Sequence, residues 1–342
     1  MDKDLQSIQE VRDLLNSASK AFEEYSQFSQ GQIDEIVREI CEEAQKHEVE
    51  LAKLANEETG FGRWEDKVLK NRLASVGVYE TIKDQKTKGI ILDDKEKGIT
   101  EIGVPMGIIA ALIPSTNPTS STIYKIMIAL KAGNAVIVSP HPNAKDCIIK
   151  TAEYLIKAAE RKGAPKGLIG VIKTPTLQAT QELMKHKKTS LILATGGEAM
   201  VKAAYSSGTP AIGVGPGNGP AFIERSADIR KAVKRIIDSK TFDNGVICAS
   251  EQSIVTEEVI KNQVVDELKK QGAYFLNKDE RNKVGSILMR ANNTMNPKIV
   301  GKTALYIAAM AGITVPTTTK VLVSEETEVS HLNPYSREKL CP

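Results

Sequence analysis

Apolar residues recur at helical spacing through the first 87 residues of the chain. They form three groups, which comprise Leu5, Ile8, Val11, Leu14 and Leu15, then Ile33, Val37, Ile40 and Ala44, and then Val68, Leu73 and Val76. Spacings of three and four residues place side chains on one face of a helix. We therefore predict that residues 1–87 form helices.

The pattern changes at residues 88–106, where two runs rich in β-branched residues flank a charged turn. Residues 89–92 precede the turn and residues 99–102 follow it. Two short extended runs around a polar turn predict a β-hairpin. A protruding hairpin often provides an edge for a partner chain.

From Gly107 onward, short apolar runs alternate with helical patterns. The apolar runs are 107–113, 135–139, 168–172, 191–194 and 211–214, and the helical patterns cover about 119–132, 142–162, 176–186 and 197–206. This alternation predicts βαβ units and therefore an α/β fold with a parallel, doubly wound sheet. After Lys240 a weaker βα pattern, with a strand at 253–256 and a helix at 257–271, predicts a second α/β unit.

Composition narrows the function classes. The 342 residues exceed an ordinary single domain, and the formal charge of +3 is the small difference between 46 basic and 43 acidic residues, which are interleaved along the chain. We therefore expect no nucleic-acid partner. The longest apolar runs, around 104–114 and 306–315, are too short to span a bilayer. The charged first residues also lack a signal core, so we expect a cytoplasmic protein.

The cysteines and histidines do not form a metal-binding pattern. Both sets are scattered and contain no C-x-x-C pair; they are Cys41, Cys147, Cys248, Cys341, His47, His141, His186 and His331. We therefore expect neither a zinc site nor a disulfide framework.

Polar and glycine-rich clusters follow the predicted strands, at the edge where parallel sheets bind ligands. A Rossmann fingerprint and a Walker A loop are both missing from the sequence. The turn at 195–197 suits a phosphate or a nicotinamide, or is an ordinary βα turn. Asn117 offers an amide donor for an oxyanion, or is a turn residue ahead of a proline. The glycines of 213–219 indicate either a close backbone approach or a crossover between domains.

Cys248 follows a glycine and small residues just before an apolar run. This placement is typical of a nucleophile on a loop that leads into a strand. The alternative is a buried structural cysteine, because free cysteine behaves as a small hydrophobic residue.

Four segments in chain order resemble the aldehyde dehydrogenase superfamily, and specifically its coenzyme A-acylating branch, which includes the aldehyde dehydrogenase half of bifunctional aldehyde/alcohol dehydrogenases. They are Ile-Pro-Ser-Thr-Asn-Pro-Thr-Ser at 113–120, Ser-Pro-His-Pro at 139–142, Leu-Ala-Thr-Gly-Gly at 193–197 and Phe-Asp-Asn-Gly-Val-Ile-Cys-Ala-Ser-Glu-Gln at 242–252. The resemblance covers nearly the whole chain.

The resemblance implies a role for each motif. Cys248 is the nucleophile, and Asn117 with the backbone N–H of Cys248 forms the oxyanion hole. The implied cofactor residues are Ile113, Pro114, Ser115, Thr116, Ser139, Pro140, His141, Thr195, Gly196, Gly197, Gly215 and Glu338. The implied domains are an NAD-binding domain at 1–87 and 107–218, an oligomerisation hairpin at 88–106, and a catalytic cysteine domain at 219–342.

Val214 decides the implied reaction. Hydrolytic members of the family carry a glutamate general base at this place, and a valine cannot deprotonate water. The thioester on Cys248 would then pass to coenzyme A, and a short aldehyde such as acetaldehyde or propionaldehyde would become acyl-CoA. The alternatives are a hydrolytic aldehyde dehydrogenase, an inactive truncated member, and a thiolase-like acyltransferase without redox chemistry.

The resemblance also bears on the cofactor and on assembly. Ser139 replaces a lysine that helps to hold the adenosine ribose in hydrolytic members, and we expect NAD rather than NADP because the acylating branch usually uses it. We further expect a homodimer or homotetramer, and some relatives work inside bacterial microcompartments. Family members continue past the position of Pro342, so we expect the catalytic domain to be incomplete at its C-terminus.

Overall fold

A computed structural model describes residues 2–291 and 294–342. Internal contacts divide it into two units: one is formed by Met1–Thr59 and Lys67–Gly215, the other by Gly60–Asp66 and Pro216–Pro342. The functions implied for the domains stay predictions.

Helices open the chain, as the apolar spacing predicts. They are α1 (Lys3–Tyr25), α2 (Gln30–Lys46), α3 (Glu48–Thr59), α4 (Trp64–Arg72) and α5 (Val78–Ile82), and a π-helical stretch at Leu73–Gly77 lies between the last two. Ser29 and Gln32 start α2 with a reciprocal capping box, in which each side chain accepts from the other residue's backbone N–H. Buried Val11 and Leu15 of α1 pack into the core beside the sheet of this unit.

The predicted hairpin is confirmed. Strands β1 (Gly89–Asp94) and β2 (Ile99–Gly103) pair antiparallel, with a register shift between Ile90 and Leu92. Almost every residue of both strands is exposed, and Ile90 and Ile102 keep more than half of their surface in solvent. The hairpin thus presents apolar side chains that its own unit does not bury.

The α/β prediction is also confirmed. The elements are β3 (Ile108–Leu112), α6 (Pro118–Lys131), β4 (Ala135–Ser139), α7 (Lys145–Arg161), β5 (Ile169–Val171), α8 (Leu177–Lys185), β6 (Thr189–Thr195), α9 (Glu198–Tyr205) and β7 (Ala211–Val214). The strands form one parallel sheet in the order β5-β4-β3-β6-β7. Every residue of β3 and β4 is buried, as expected for parallel strands covered on both faces.

The strand order places a topological switch point between β3 and β6. The chain runs from β3 outward through β4 to β5, and then returns to the other side of β3 to form β6 and β7. The connections on the two sides of this point run in opposite directions, which opens a crevice at the carboxyl ends of β3 and β6.

The start of one helix differs from its predicted position. The helix expected over 142–162 starts later, because Pro142–Ala144 form a 3₁₀ turn and α7 begins at Lys145. His141 stabilises this turn, since its Nδ1 accepts from the backbone N–H of Asn143 at 3.1 Å.

The second unit has its own βα pattern. Its elements are β8 (Gly219–Ile223), α10 (Ile229–Thr241), β9 (Glu251–Thr256), α11 (Glu258–Lys270), β10 (Ala273–Phe275), α12 (Lys278–Leu288), α13 (Ala304–Met310) and β11 (Val321–Val323), with 3₁₀ turns at Phe242–Gly245 and Pro334–Ser336. Strand β8 pairs parallel with β9, and β10 pairs parallel with β11. Ile223, Val233, Ile237, Val264 and Leu268 contribute to its core.

Among the residues that the structure describes, no helix combines the length and the apolar character that crossing a bilayer requires.

Candidate active site

The first unit gathers most of the predicted cofactor residues at one edge of its sheet. Residues 113–117 follow β3, residues 139–141 begin at the last residue of β4, and residues 195–197 begin at the last residue of β6. Gly215 follows β7, and the backbone N–H of Gly196 donates to the carbonyl of Val214 at 3.2 Å. Of the predicted cofactor residues, Glu338 alone belongs to the other unit.

The glycine turn after β6 has the features of an anion or nicotinamide site. Gly197 is the N-cap of α9 and adds no side chain in front of the first N–H groups. A Cβ built on Gly197 would meet no described atom within 4 Å, so the backbone there is open to a ligand. A helix N-terminus attracts negative charge through its free N–H groups. The residues at this edge therefore fit a dinucleotide, and their individual roles stay predictions.

The side chains of Ser139 and His141, two predicted cofactor residues, lie in different surroundings. Ser139 is buried, and its hydroxyl shares a 3.1 Å hydrogen bond with that of Thr180. Burial lowers the pKa of His141, so its ring is neutral at physiological pH. Any contact of Ser139 with a cofactor would use its backbone or require this hydroxyl pair to open.

Asn117 lies at the N-cap of α6, immediately before Pro118. Its Oδ1 accepts from Lys70 Nζ at 2.8 Å, and its Nδ2 donates to Thr116 Oγ1 at 3.3 Å. Lys70 is buried, and no motif in the sequence points to it. A lysine has no sequence signature for such a role, because lysines are expected in solvent.

Lys125 connects the two strands at the switch point. Its Nζ donates to the carbonyl of Leu112 at 2.8 Å and to that of Leu193 at 3.0 Å. Burial lowers the pKa of this lysine to about 7. A neutral amine still carries two N–H groups, so both hydrogen bonds survive deprotonation.

Replacing Lys125 with methionine is expected to flatten the rise of stability with pH. The folded-state pKa of about 7 lies below the ordinary 10.5, so the unfolded chain binds more protons between these values. The free energy of unfolding of the wild type therefore gains up to about 1.4 kcal/mol per pH unit from this group. Urea unfolding of the wild type and of Lys125→Met at pH 7.5 and pH 9.5 measures how the free energy of unfolding changes with pH in each protein. Equal slopes in the two proteins would show that Lys125 does not titrate in this range.

The turn that carries Cys248 is preceded by residues in a left-handed conformation. Asp243, Asn244 and Gly245 have φ values of 49°, 50° and 75°. Asp243 is fully buried; its Oδ1 accepts from the backbone N–H of Arg63 at 2.6 Å, and its own N–H donates to Asp66 Oδ2 at 2.8 Å. Aspartate and asparagine tolerate this conformation better than most residues. The Asp-Asn-Gly sequence therefore lets the chain turn sharply after α10.

Cys248 is partly exposed, whereas Cys41, Cys147 and Cys341 are buried. It lies in a turn closed by Ser250, whose backbone N–H and hydroxyl donate to the carbonyl of Ile247 at 3.2 and 3.0 Å. Within residues 2–291 and 294–342, no hydrogen bond involves the backbone N–H of Cys248. This geometry leaves both the thiol and a backbone donor available to a substrate.

Gly217 supports this turn by backbone contact. A Cβ at Gly217 would lie 1.8 Å from the carbonyl oxygen of Cys248, so a side chain cannot be accommodated without movement. The N–H of Gly217 donates to Glu338 Oε1 at 2.9 Å. The glycines at 213–219 were consistent with a close backbone approach. The fold shows that Gly217 makes this approach to the backbone of Cys248.

Glu338 lies near two partly buried lysines, Lys240 and Lys339. Burial raises the pKa of its carboxyl, and the Gly217 N–H, Lys240 and Lys339 partly oppose this shift. Burial likewise lowers the pKa of Lys240 and brings that of Lys339 to about 8. Gln252 Oε1 accepts from Lys240 Nζ at 3.1 Å and from the Lys339 backbone N–H at 3.3 Å. The family resemblance pointed to Glu338, but no sequence pattern pointed to Lys240, Lys339 or Gln252.

A cavity of about 510 Å³ also lies in the second unit. Its lining includes Ile237, Val264, Leu268 and Phe275, and neither Cys248 nor Gly217 contributes to it. We do not assign it to the reaction.

Comparison with known proteins identifies the family. Residues 4–303 match the model of the aldehyde dehydrogenase family. The chain therefore belongs to that family, and the prediction from the four motifs is confirmed.

Similar proteins include aldehyde-alcohol dehydrogenases and solved structures of aldehyde dehydrogenases. An aldehyde-alcohol dehydrogenase of Clostridium acetobutylicum is 48% identical over 98% of this chain, which spans only 39% of that relative. The crystal structure of an acetylating aldehyde dehydrogenase from Geobacillus thermoglucosidasius has a TM-score of 0.96 and 56% identity, and the match covers all of this chain and 75% of that one. A Rhodopseudomonas palustris propionaldehyde dehydrogenase, solved with bound CoA and an acylated cysteine, has a TM-score of 0.82 and 29% identity over 94% and 73% of the two chains.

Proposed function

We propose that the protein oxidises a short-chain aldehyde, acetaldehyde or propionaldehyde, with NAD and transfers the acyl group to coenzyme A. The observation that carries the proposal is the partly exposed Cys248, on a turn that follows three left-handed residues and packs against Gly217. A nucleophile must be reachable and fixed in position, and this turn provides both properties. The likeness to an acetylating aldehyde dehydrogenase supports the same reaction.

The first half of the proposed reaction is carried by Cys248 and Asn117. The Cys248 thiolate bonds to the aldehyde carbon, and the carbonyl oxygen becomes an oxyanion. On the family resemblance, Asn117 Nδ2–H and the Cys248 backbone N–H are the proposed donors to that oxygen, because donors aimed at a developing oxyanion stabilise its charge. NAD, when bound, would supply the hydride acceptor that this oxidation requires, and Cys248 would then hold the acyl group as a thioester.

The second half depends on Val214. This residue ends β7, is about half exposed, and offers no group that can take a proton from water. Water is therefore not activated, and the thiolate of coenzyme A attacks the thioester carbon. A new carbon–sulfur bond to coenzyme A forms, the bond to Cys248 breaks, and the electron pair returns to the Cys248 sulfur as a thiolate.

We extend the proposal to the cofactor and to assembly. NAD is favoured over NADP on the family resemblance, although an engineered glycolyl-CoA reductase with 30% identity is described with bound NADP+. The exposed apolar side chains of the hairpin support a homodimer or homotetramer, because such surfaces are usually covered by a partner. We place the protein in the cytoplasm or in a bacterial microcompartment, since one similar propionaldehyde dehydrogenase comes from such a compartment. Light scattering would measure the oligomeric state.

The test is the dependence of NADH formation on coenzyme A. Without it, we expect about one NADH per active site, because the thioester then blocks Cys248; with it, turnover continues. Desulfo-coenzyme A, which lacks the thiol, is the matched control and is expected to leave turnover blocked. Full-rate NADH formation without coenzyme A, with release of free acid, would favour a hydrolytic enzyme. Acyl transfer without NADH formation would indicate the thiolase-like alternative.

A further inference from the structure

Asn117 is placed as a helix cap but does not act as one. Asparagine is favoured at N-caps because its Oδ1 accepts from the backbone N–H groups of the first turn. In the part of the chain that the structure describes, the Asn117 side chain makes no capping bond to α6. Its Oδ1 accepts from Lys70 Nζ instead, at 2.8 Å. The amide is therefore used for something other than helix stability.

Lys70 fixes the orientation of the Asn117 side-chain amide. An ammonium group only donates, so the atom that faces Lys70 must be Oδ1, and Nδ2 must lie on the opposite side. The Nδ2 contact with Thr116 Oγ1 is long, at 3.3 Å, and uses one of two N–H groups. The other N–H remains for a substrate oxygen. The cation also polarises the amide, which strengthens its N–H groups as donors.

Lys70 is itself held in place by the neighbouring residue. Asn71 is fully buried; its Nδ2 donates to the carbonyl of Glu48 at 3.0 Å, and its Oδ1 accepts from Thr119 Oγ1 at 2.7 Å. The first bond fastens α4 to the start of α3, and the second fastens it to the first turn of α6, next to the Lys70–Asn117 pair. The π-helical stretch Leu73–Gly77 follows directly, and such stretches often occur at functional sites.

We propose that Lys70 is a positioning residue: it orients the Asn117 amide so that an Nδ2–H is presented to the oxyanion formed from the aldehyde. This inference rests on the proposed function, in which Asn117 stabilises that oxyanion. Without Lys70, the amide can rotate, and its oxygen can return to capping α6. The loss would then appear in the chemical step and not in cofactor binding.

A double-mutant cycle in the whole chain tests this role. Asn117→Ala is expected to lower kcat by about 100- to 1,000-fold, the usual effect of removing an oxyanion donor. Lys70→Met is expected to lower kcat roughly tenfold, with KM for NAD unchanged, because a charged hydrogen bond is lost. In the Asn117→Ala background, Lys70→Met should change kcat less than about twofold. Lys131→Met, which also removes a buried ammonium from a hydrogen-bonded pair, here with Asp34, is the control and should keep the wild-type kcat.

The outcomes distinguish the positioning role of Lys70 from the proposed aldehyde oxidation. A wild-type kcat for Lys70→Met, or losses that add in the double mutant, overturns the positioning role and leaves the function standing. A wild-type kcat for Asn117→Ala removes the oxyanion role of Asn117 and the inference with it. If Lys70→Met does not fold, the same cycle is run with Lys70→Gln, which stays polar but can donate or accept and so does not fix the amide orientation, and the same additivity criterion applies.

Discussion

Replacing Cys248 with alanine is expected to abolish aldehyde-dependent NADH formation, with a loss on the order of 10,000-fold or more, because removal of a covalent nucleophile leaves only binding and electrostatic effects. The thioester cannot form, so coenzyme A has no acyl group to accept. The measurement is NADH absorbance under steady-state conditions with aldehyde, NAD and coenzyme A. Binding of NAD, measured by fluorescence titration, should stay near the wild-type value.

Cys41→Ala is the matched control, because it removes a thiol of the first unit from a buried position in α2. Burial raises the pKa of Cys41 to about 11 and that of Cys341 to about 11, so these thiols stay protonated and unreactive. Iodoacetamide should therefore label Cys248 first and inactivate the enzyme in proportion. Equal, slow labelling of all four cysteines, or activity retained in Cys248→Ala, would favour an inactive family member.

Much of the fold followed from local patterns. The helices before residue 87 and the strands around 108–112 and 135–139 were predictable because apolar spacing reports which face of an element is buried. The parallel sheet followed from the alternation of strand and helix. The start of α7 was missed because a short 3₁₀ turn at Pro142–Ala144 has the same composition as a helical first turn.

The contacts that build the candidate site were not predictable in this way. Arg63 bonds to Asp243 across 180 positions, and Lys70 bonds to Asn117 across 47. Such pairs depend on how the elements pack, which no window of sequence contains. Lys125 shows the same limit: its buried bond to the Leu193 carbonyl spans 68 positions, and composition rules expect a lysine in solvent.

The sequence around Cys248 predicted a turn but not the contacts that this turn makes. Its Asp-Asn-Gly residues indicate a sharp turn, since they tolerate positive φ. The close approach of Gly217 to this turn is a property of the fold, because no local sequence pattern contains it.

Replacing Gly217 with alanine is expected to lower kcat/KM by about 100-fold or more. The new methyl group would lie 1.8 Å from the carbonyl oxygen and 2.8 Å from the carbonyl carbon of Cys248, so one backbone segment must move. If the Cys248 turn moves, the thiol and its backbone donor are displaced, and a shift near 1 Å costs about that much in rate. If the Gly217 segment moves, its 2.9 Å bond to Glu338 breaks. Steady-state kinetics at several aldehyde concentrations measures the loss.

Gly219→Ala is the control that separates this contact from the general cost of losing a glycine. A Cβ at Gly219 would lie 3.9 Å from the carbonyl oxygen of Ser250, an ordinary van der Waals distance, so its kcat/KM should stay within about threefold of the wild type. Overpacking at Gly217 also costs about 1–3 kcal/mol of stability. The kinetics are therefore compared at a temperature below the thermal unfolding midpoint of both variants. A folded Gly217→Ala protein with wild-type kcat/KM would show that the turn of Cys248 tolerates displacement. The backbone approach of Gly217 would then matter for packing alone, because the reaction would not depend on where this carbonyl lies.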